Sequence, residues 1–264
     1  MRYYFKNEIK RAIFSKTALL SFSISLILLI ISFLEFINFP TLRIMEAKQR
    51  FDAIDIFVRI RSTSNAAFII VVFPLLSTII FSDSYLLEKE TGFIKFIYLR
   101  ISTKRYVFIK SIVNAIVSAL VGILSSFTML IFLICTYGIR VTNRLNIKGP
   151  FSYLLNSNRL KYAFILVAIT GLSYMVFSTL ALGISAWIKN RYLVLILPFF
   201  YYIFCGTILD VPIISNLFNF NFSRIYSLNS AISLAHVFIY SILLLLLGET
   251  LFYIGVVLKN EKDL

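Results

Sequence analysis

Six stretches of this chain, at about residues 17–38, 66–83, 106–138, 161–188, 192–209 and 231–258, are almost free of charge and each runs for roughly 18 residues or more. A backbone placed in hydrocarbon must satisfy its own hydrogen bonds, which leaves only helices and closed barrels. Crossing a core of about 30 Å takes roughly 20 apolar residues at about 1.5 Å each. These runs are continuous rather than alternating, so helices are predicted, not barrel strands. Composition agrees: 59% of the residues are hydrophobic and 14% charged, against about 45–50% and about 25% in globular domains. The fold class that follows is an all-α integral membrane protein, with residues 1–264 forming one transmembrane domain of six spans.

The net charge of +14 does not point to nucleic acid, because the Lys and Arg residues lie in the connections between apolar runs. Topology and contact with anionic headgroups account for them. With both termini on the cytoplasmic side of the plasma membrane, 15 of the 26 Lys and Arg residues fall inside. The basic leader Arg2, Lys6, Lys10, Arg11 and Lys16 favours the same orientation. That leader mixes aromatics with cations and reads as a short interfacial helix, aromatics down and cations out. The apolar run after it is too long for a signal peptide and is followed by no small-residue cleavage site, so it reads as the first span. Residues 39–65 carry mixed charge and read as a small solvated helix on the outside. Residues 139–160 read as a basic outer connection, and residues 210–230, aromatic but broken by Pro, Asn and Ser, as a stretch that lies on or dips into the outer leaflet.

Within the spans, Ala115, Ser118, Ala119, Gly122, Ser125 and Ser126 fall on one helical face. Small residues let helix backbones approach in lipid, so this is a packing seam, within the chain rather than between subunits. Ser21, Ser25 and Ser32 make a thinner stripe of interhelical hydrogen-bond partners or a wet pathway wall. Pro74 and Pro198 lie inside apolar runs and each removes a backbone donor, predicting kinks.

Little points to catalysis. His236 is the one histidine, with no cluster of Cys or carboxylate around it, so no metal site is expected. Cys135 and Cys205 lie in apolar runs as inert thiols. The dipeptide Gly-Lys never occurs, which excludes a P-loop, and no nucleophile-elbow or zinc-protease motif is present. Glu249 lies inside the last apolar run, where a charge costs about 2.5–3.5 kcal/mol. With His236 it is a candidate intramembrane or pathway group.

One connection stands apart. Between the second and third runs, LLEKETGFIKFIYLRISTKRYVFIK carries charge and apolar bulk together. It predicts a helix, a break at Gly92 and a second short helix, with Glu88, Thr91, Lys95 and Ser102 on one face and Phe93, Phe96 and Ile97 on another. Such a segment either fits a groove on a partner or floats among headgroups.

The residues Glu88, Glu90, Thr91, Gly92, Arg100, Ser102 and Lys110, in this order after the second span, resemble the permeases of ABC-2-type ABC transporters. The layout of a leader helix, six spans and a re-entrant-looking stretch before the last is similar too. Many members carry Pro before the Ser, where this chain has Ile101. The resemblance implies that Glu88, Lys89, Glu90, Thr91, Gly92, Phe93, Lys95, Phe96, Arg100 and Ser102 form a coupling helix seated on a separate ATPase subunit. It implies two permease subunits and two ATPases, with ATP and Mg on the ATPases and no cofactor or catalytic site in this chain. An exporter of a hydrophobic or amphipathic cargo such as a peptide is then the expected function. The rival reading is an ATP-independent, proton-coupled transporter or channel using Glu249.

Overall fold

The computed structural model describes residues 2–37, 51–62, 68–140, 149–215, 218–228 and 232–258, and these are helical with no strand. An end helix α1 (Arg2–Ile13) leads into α2 (Lys16–Phe36). Next come α3 (Ala53–Ser62), α4 (Ile69–Ile79) and α5 (Ser84–Glu90), then α6 (Phe93–Tyr98) and the long α7 (Thr103–Tyr137). The chain continues through α8 (Leu154–Ser157), α9 (Arg159–Ser185), α10 (Arg191–Thr207), α11 (Pro212–Ser215) and α12 (Phe222–Ser227). It ends in α13 (Leu234–Tyr253), which runs on as a π-helical turn over Ile254–Leu258.

Among the described residues, five helices are long and apolar enough to cross a membrane: Lys16–Phe36, Ile69–Glu90, Thr103–Tyr137, Arg159–Ser185 and Leu234–Leu258. The sixth apolar run forms α10, which is shorter, at 17 residues. At about 1.5 Å per residue α10 reaches about 25 Å, because the chain leaves the helix at Thr207 and turns back through Asp210. Starts are set by local chemistry: Ser15, Asn158, Asn190 and Ser233 each accept a hydrogen bond from a first-turn backbone N–H.

Helix α9 is the central post, packed by α7, α13, α4 and α10. Ser118, Gly122, Ser125 and Ser126 of α7 are buried, while Ala115 and Ala119 are half-buried. Gly122 lies under the Tyr174 ring of α9, and Ser118 Oγ donates to Ser178 Oγ at 2.6 Å. Where α9 meets α13, a Cβ on Gly183 would sit 2.5 Å from the Gly248 carbonyl oxygen, so the two backbones touch.

The carbonyl freed by Pro74 finds its donor on another helix. Pro74 of α4 has no N–H for the Ile70 carbonyl four residues back. Tyr202 of α10 supplies the missing donor, its hydroxyl 2.5 Å from Ile70 O. Across the same contact Thr78 Oγ1 of α4 lies 3.0 Å from Leu195 O of α10, on the turn before Pro198. Each proline helix therefore lends a hydroxyl to the other.

One expectation is corrected here. The helix placed in residues 39–65 is not solvated: in α3 the residues from Ala53 to Val58, with Ile60 and Arg61, are buried against α7 and α2. Apolar Ile54, Ile56, Phe57 and Ile60 drive this, and its charges are met from far along the chain. Residues 39–50 and 63–65 lie outside the described set. Residues 218–228 of the aromatic stretch fold back, Phe222, Ile225 and Tyr226 being buried against α9, α10 and α4.

Candidate functional site

At the α1 end, α5 and α6 form an elbow. Gly92 between them adopts φ +71°, the left-handed region that glycine enters without penalty, and this turns the chain back on itself. The elbow has two unlike faces. Outward it presents Phe93 (50% exposed), Phe96 (66%) and Leu99 (84%) beside exposed Lys89, Lys95 and Arg100. Inward it buries Tyr85, Ile94 and Ile97 with Tyr106 of α7 and Phe252 of α13.

Beneath the elbow lies a buried cluster of charge. Lys110 of α7, 0% exposed, places Nζ 2.6 Å from Glu8 Oε1 of α1 and 2.7 Å from Glu88 Oε1 of α5. Arg11 Nη2 contacts the same Glu88 oxygen at 2.5 Å, and the Tyr106 hydroxyl donates to Glu88 Oε2 at 2.6 Å. Phe81 stacks under both cations, 4.6 Å from Lys110 Nζ and 5.4 Å from the Arg11 guanidinium. Two cations and two carboxylates balance, which is what burial of charge requires. Burial works against the charged form of Arg11, but Glu8 and Glu88 outweigh it and hold its pKa above the usual value. Burial first, then the same two carboxylates, pushes the nearby Tyr4 hydroxyl up.

The predicted coupling residues therefore divide. Lys89, Thr91, Phe93, Lys95, Phe96, Arg100 and Ser102 are exposed. Glu88 is not on that surface: 4% exposed, it faces inward and is committed to Lys110, Arg11 and Tyr106. Glu90 is half-exposed and pairs with Arg191 at the start of α10, its Oε2 accepting from Arg191 Nε at 3.0 Å. The motif's carboxylates thus tie the elbow to the bundle on two sides, one tie buried and one wet. Helix α1 buries Glu8 and Ala12 and leaves Tyr3 79% exposed, so its inner face is set by ion pairing as well as apolar contact.

The other predicted residues lie elsewhere and do not form one site. His236 begins α13, its Nε2 2.8 Å from Asn219 O and its ring packed on Phe218. Glu249 is 13 residues further along the same helix, about 20 Å away. Ser21 and Ser25 lie buried in the bundle: Ser21 donates to Leu76 O at 2.8 Å, and Ser25 Oγ is 2.7 Å from the Tyr174 hydroxyl. Ser32, also buried, donates to Leu28 O within its own helix. Cys135 and Cys205 are free thiols.

Sequence reasoning missed Glu8, Arg11 and Tyr106 as members of the cluster. The available signal was a lone acid, Glu8, three residues before Arg11 in an otherwise basic leader. It also missed a second buried group at the opposite end, where Arg159 Nη1 lies 2.5 Å from Asp52 Oδ2 and 3.4 Å from Asp55 Oδ1. There Arg61 of α3 donates to Thr170 Oγ1 at 2.7 Å and to Tyr226 O at 3.2 Å, its guanidinium over the Tyr226 ring. No protein-family model, curated protein or solved structure matches this chain.

Proposed function

We propose that this chain is the membrane subunit of an ATP-driven exporter, with the elbow as the contact through which a separate ATPase subunit drives it. One observation supports this reading above others: the elbow exposes an apolar ridge of Phe93, Phe96 and Leu99 while its inner face is tied by buried charge to α1 and α7. A surface that merely floated among headgroups would need no such anchorage; a surface that receives a push does. Two copies of the chain, or this chain and a second permease, would pair with two ATPases, with ATP and Mg bound there. Nucleotide-driven closure of the ATPases would shift the spans between two arrangements, the loop biasing that equilibrium. Both termini and the elbow lie on the cytoplasmic side of the plasma membrane in this reading. The cargo is hydrophobic or amphipathic, such as a peptide.

The test is purification of the tagged chain from mild detergent with a search for a stoichiometric P-loop ATPase, repeated with Phe96→Asp, which changes an exposed side chain. Co-purification with wild type and its loss with Phe96→Asp supports the reading. A stable wild-type chain that comes down alone, or a Phe96→Asp chain that keeps its ATPase, overturns it.

A further inference from the structure

Near the α1 end, α7 and α13 leave between them a groove of about 360 Å³, lined by Lys104, Val107, Phe108, Glu249, Tyr253 and Ile254 among others. Phe108 (61% exposed), Tyr253 (41%) and Ile254 (41%) stand open along it, and in a bilayer that exposure is to lipid. Lys104 is the second residue of α7 and marks the water-side mouth. Glu249 is deeper, level with Ser111 two turns into α7.

Glu249 is half-buried, and none of the ion pairs among the described residues includes it. Ser111, 2% exposed, faces its carboxylate without a well-formed hydrogen bond to any group. A carboxylate kept at this depth without a cation is costly, and the buried hydroxyl beside it has acceptor capacity to spare. One carboxylate and one hydroxyl are too few oxygens for Ca²⁺ or Mg²⁺, which take six or more. The carboxylate suits an ammonium group, which offers three N–H donors. The aromatic faces of Phe108 and Tyr253 add a surface for the same cation and for an alkyl chain. The positive charge of Lys104 at the mouth opposes entry of a cation from water, so the open lipid side is the route in.

We propose that this groove is a membrane-accessible site for an amphiphile bearing a primary ammonium, with Glu249 holding the nitrogen, Ser111 buried behind that carboxylate and positioning it, and Phe108, Tyr253 and Ile254 along the chain. The site does not depend on the exporter reading, since it requires no ATPase.

The experiment titrates the purified full-length chain, in nanodiscs of phosphatidylcholine, with dodecylamine at neutral pH, and counts bound ligand by native mass spectrometry. Dodecanol serves as the uncharged control. One saturable dodecylamine site per chain is expected, weakened at least tenfold by Glu249→Gln and severalfold by Ser111→Ala. Dodecanol should bind more weakly and indifferently to either change. Lys104→Gln should leave dodecylamine affinity equal or tighter. Wild-type affinity in both Glu249→Gln and Ser111→Ala, or dodecanol binding as tightly as the amine, overturns the proposal. Should Glu249→Gln fail to purify, Ser111→Ala alone decides: unchanged affinity refutes the site as drawn.

Discussion

Replacing Lys110 with Met keeps an unbranched side chain one atom shorter and deletes the charge from the centre of the cluster. Lys110 is 0% exposed and lies within 2.7 Å of two carboxylates, each on a side chain only 4% exposed. After the change, Glu8 and Glu88 share only Arg11, at 3.6 and 2.5 Å, and Arg11 is 45% exposed. Breaking a buried pair from one side strands charge away from water and costs about 3–5 kcal/mol. The exposed pair Glu90–Arg191, with side chains 42% and 39% exposed, gives an internal standard: Arg191→Met should cost at most about 1 kcal/mol. For a chain of this size 1 kcal/mol corresponds to about 2–4 °C. Lys110→Met should then lower the melting temperature by about 6–20 °C and Arg191→Met by at most about 4 °C.

The assay is thermal unfolding of both variants in one detergent, followed by loss of helical circular dichroism at one scan rate. A rescue sharpens it. Adding Glu8→Gln and Glu88→Gln to Lys110→Met removes the stranded charges and should recover most of the loss, Arg11 turning to water. If Lys110→Met melts no lower than Arg191→Met, or if the triple variant is no better than the single one, the cluster does not bind α1 and α5 to α7 as described.

Three further outcomes follow from the packing. Tyr202→Phe orphans the Ile70 carbonyl freed by Pro74 and should cost about 1–3 kcal/mol in the same melt, whereas Tyr192→Phe, 76% exposed, should cost nothing measurable. Gly248→Ala drives a Cβ to within 2.7 Å of the Thr179 backbone; it should separate α9 from α13 and lower the melting temperature by more than Gly206→Ala, whose added Cβ comes no nearer than 3.5 Å to any atom. Arg191→Glu should widen the distance distribution between spin labels placed at exposed Phe96 and Tyr192, and Glu90→Arg added to it should narrow the distribution again.

The apolar helices and the break at Gly92 were legible because they depend on neighbours in sequence, whereas the capping hydrogen bonds of Ser15, Asn158 and Ser233 were not read there. What failed was inferring exposure from charge. Asp55, Arg59 and Arg61 read as the solvated side of a surface helix, yet Asp52 and Asp55 are neutralised by Arg159 more than a hundred residues away. Glu8 and Lys110 are separated just as widely. A buried ion pair looks, in one dimension, like two unrelated surface charges. One local hint existed for α3, since Asp52 Oδ1 accepts from the Asp55 N–H at 2.7 Å, the reciprocal pattern of a helix start. The hydroxyl of Tyr202 on the backbone of α4 had no counterpart in sequence, because it answers a vacancy made by a proline on another helix.

The two ties at the elbow differ in strength because they differ in burial. Glu88, itself buried, is held by three partners, Glu90 by one arginine in the open. Breaking the buried contact from one side costs about threefold or more what breaking the exposed one costs, by the usual difference between such pairs. Glu90–Arg191 is therefore the weaker polar tie of α5, and beside it Leu86 of α5 packs in a buried cluster with Val194 of α10 and Ala181 of α9. Helix α10 stays with α4, to which the Tyr202 and Thr78 hydroxyls bind it. On the other side of α5, a cavity of about 380 Å³ lies between that helix and the α1–α2 junction, bordered by Arg11, Ser15, Thr17, Asp83, Leu87 and Thr91.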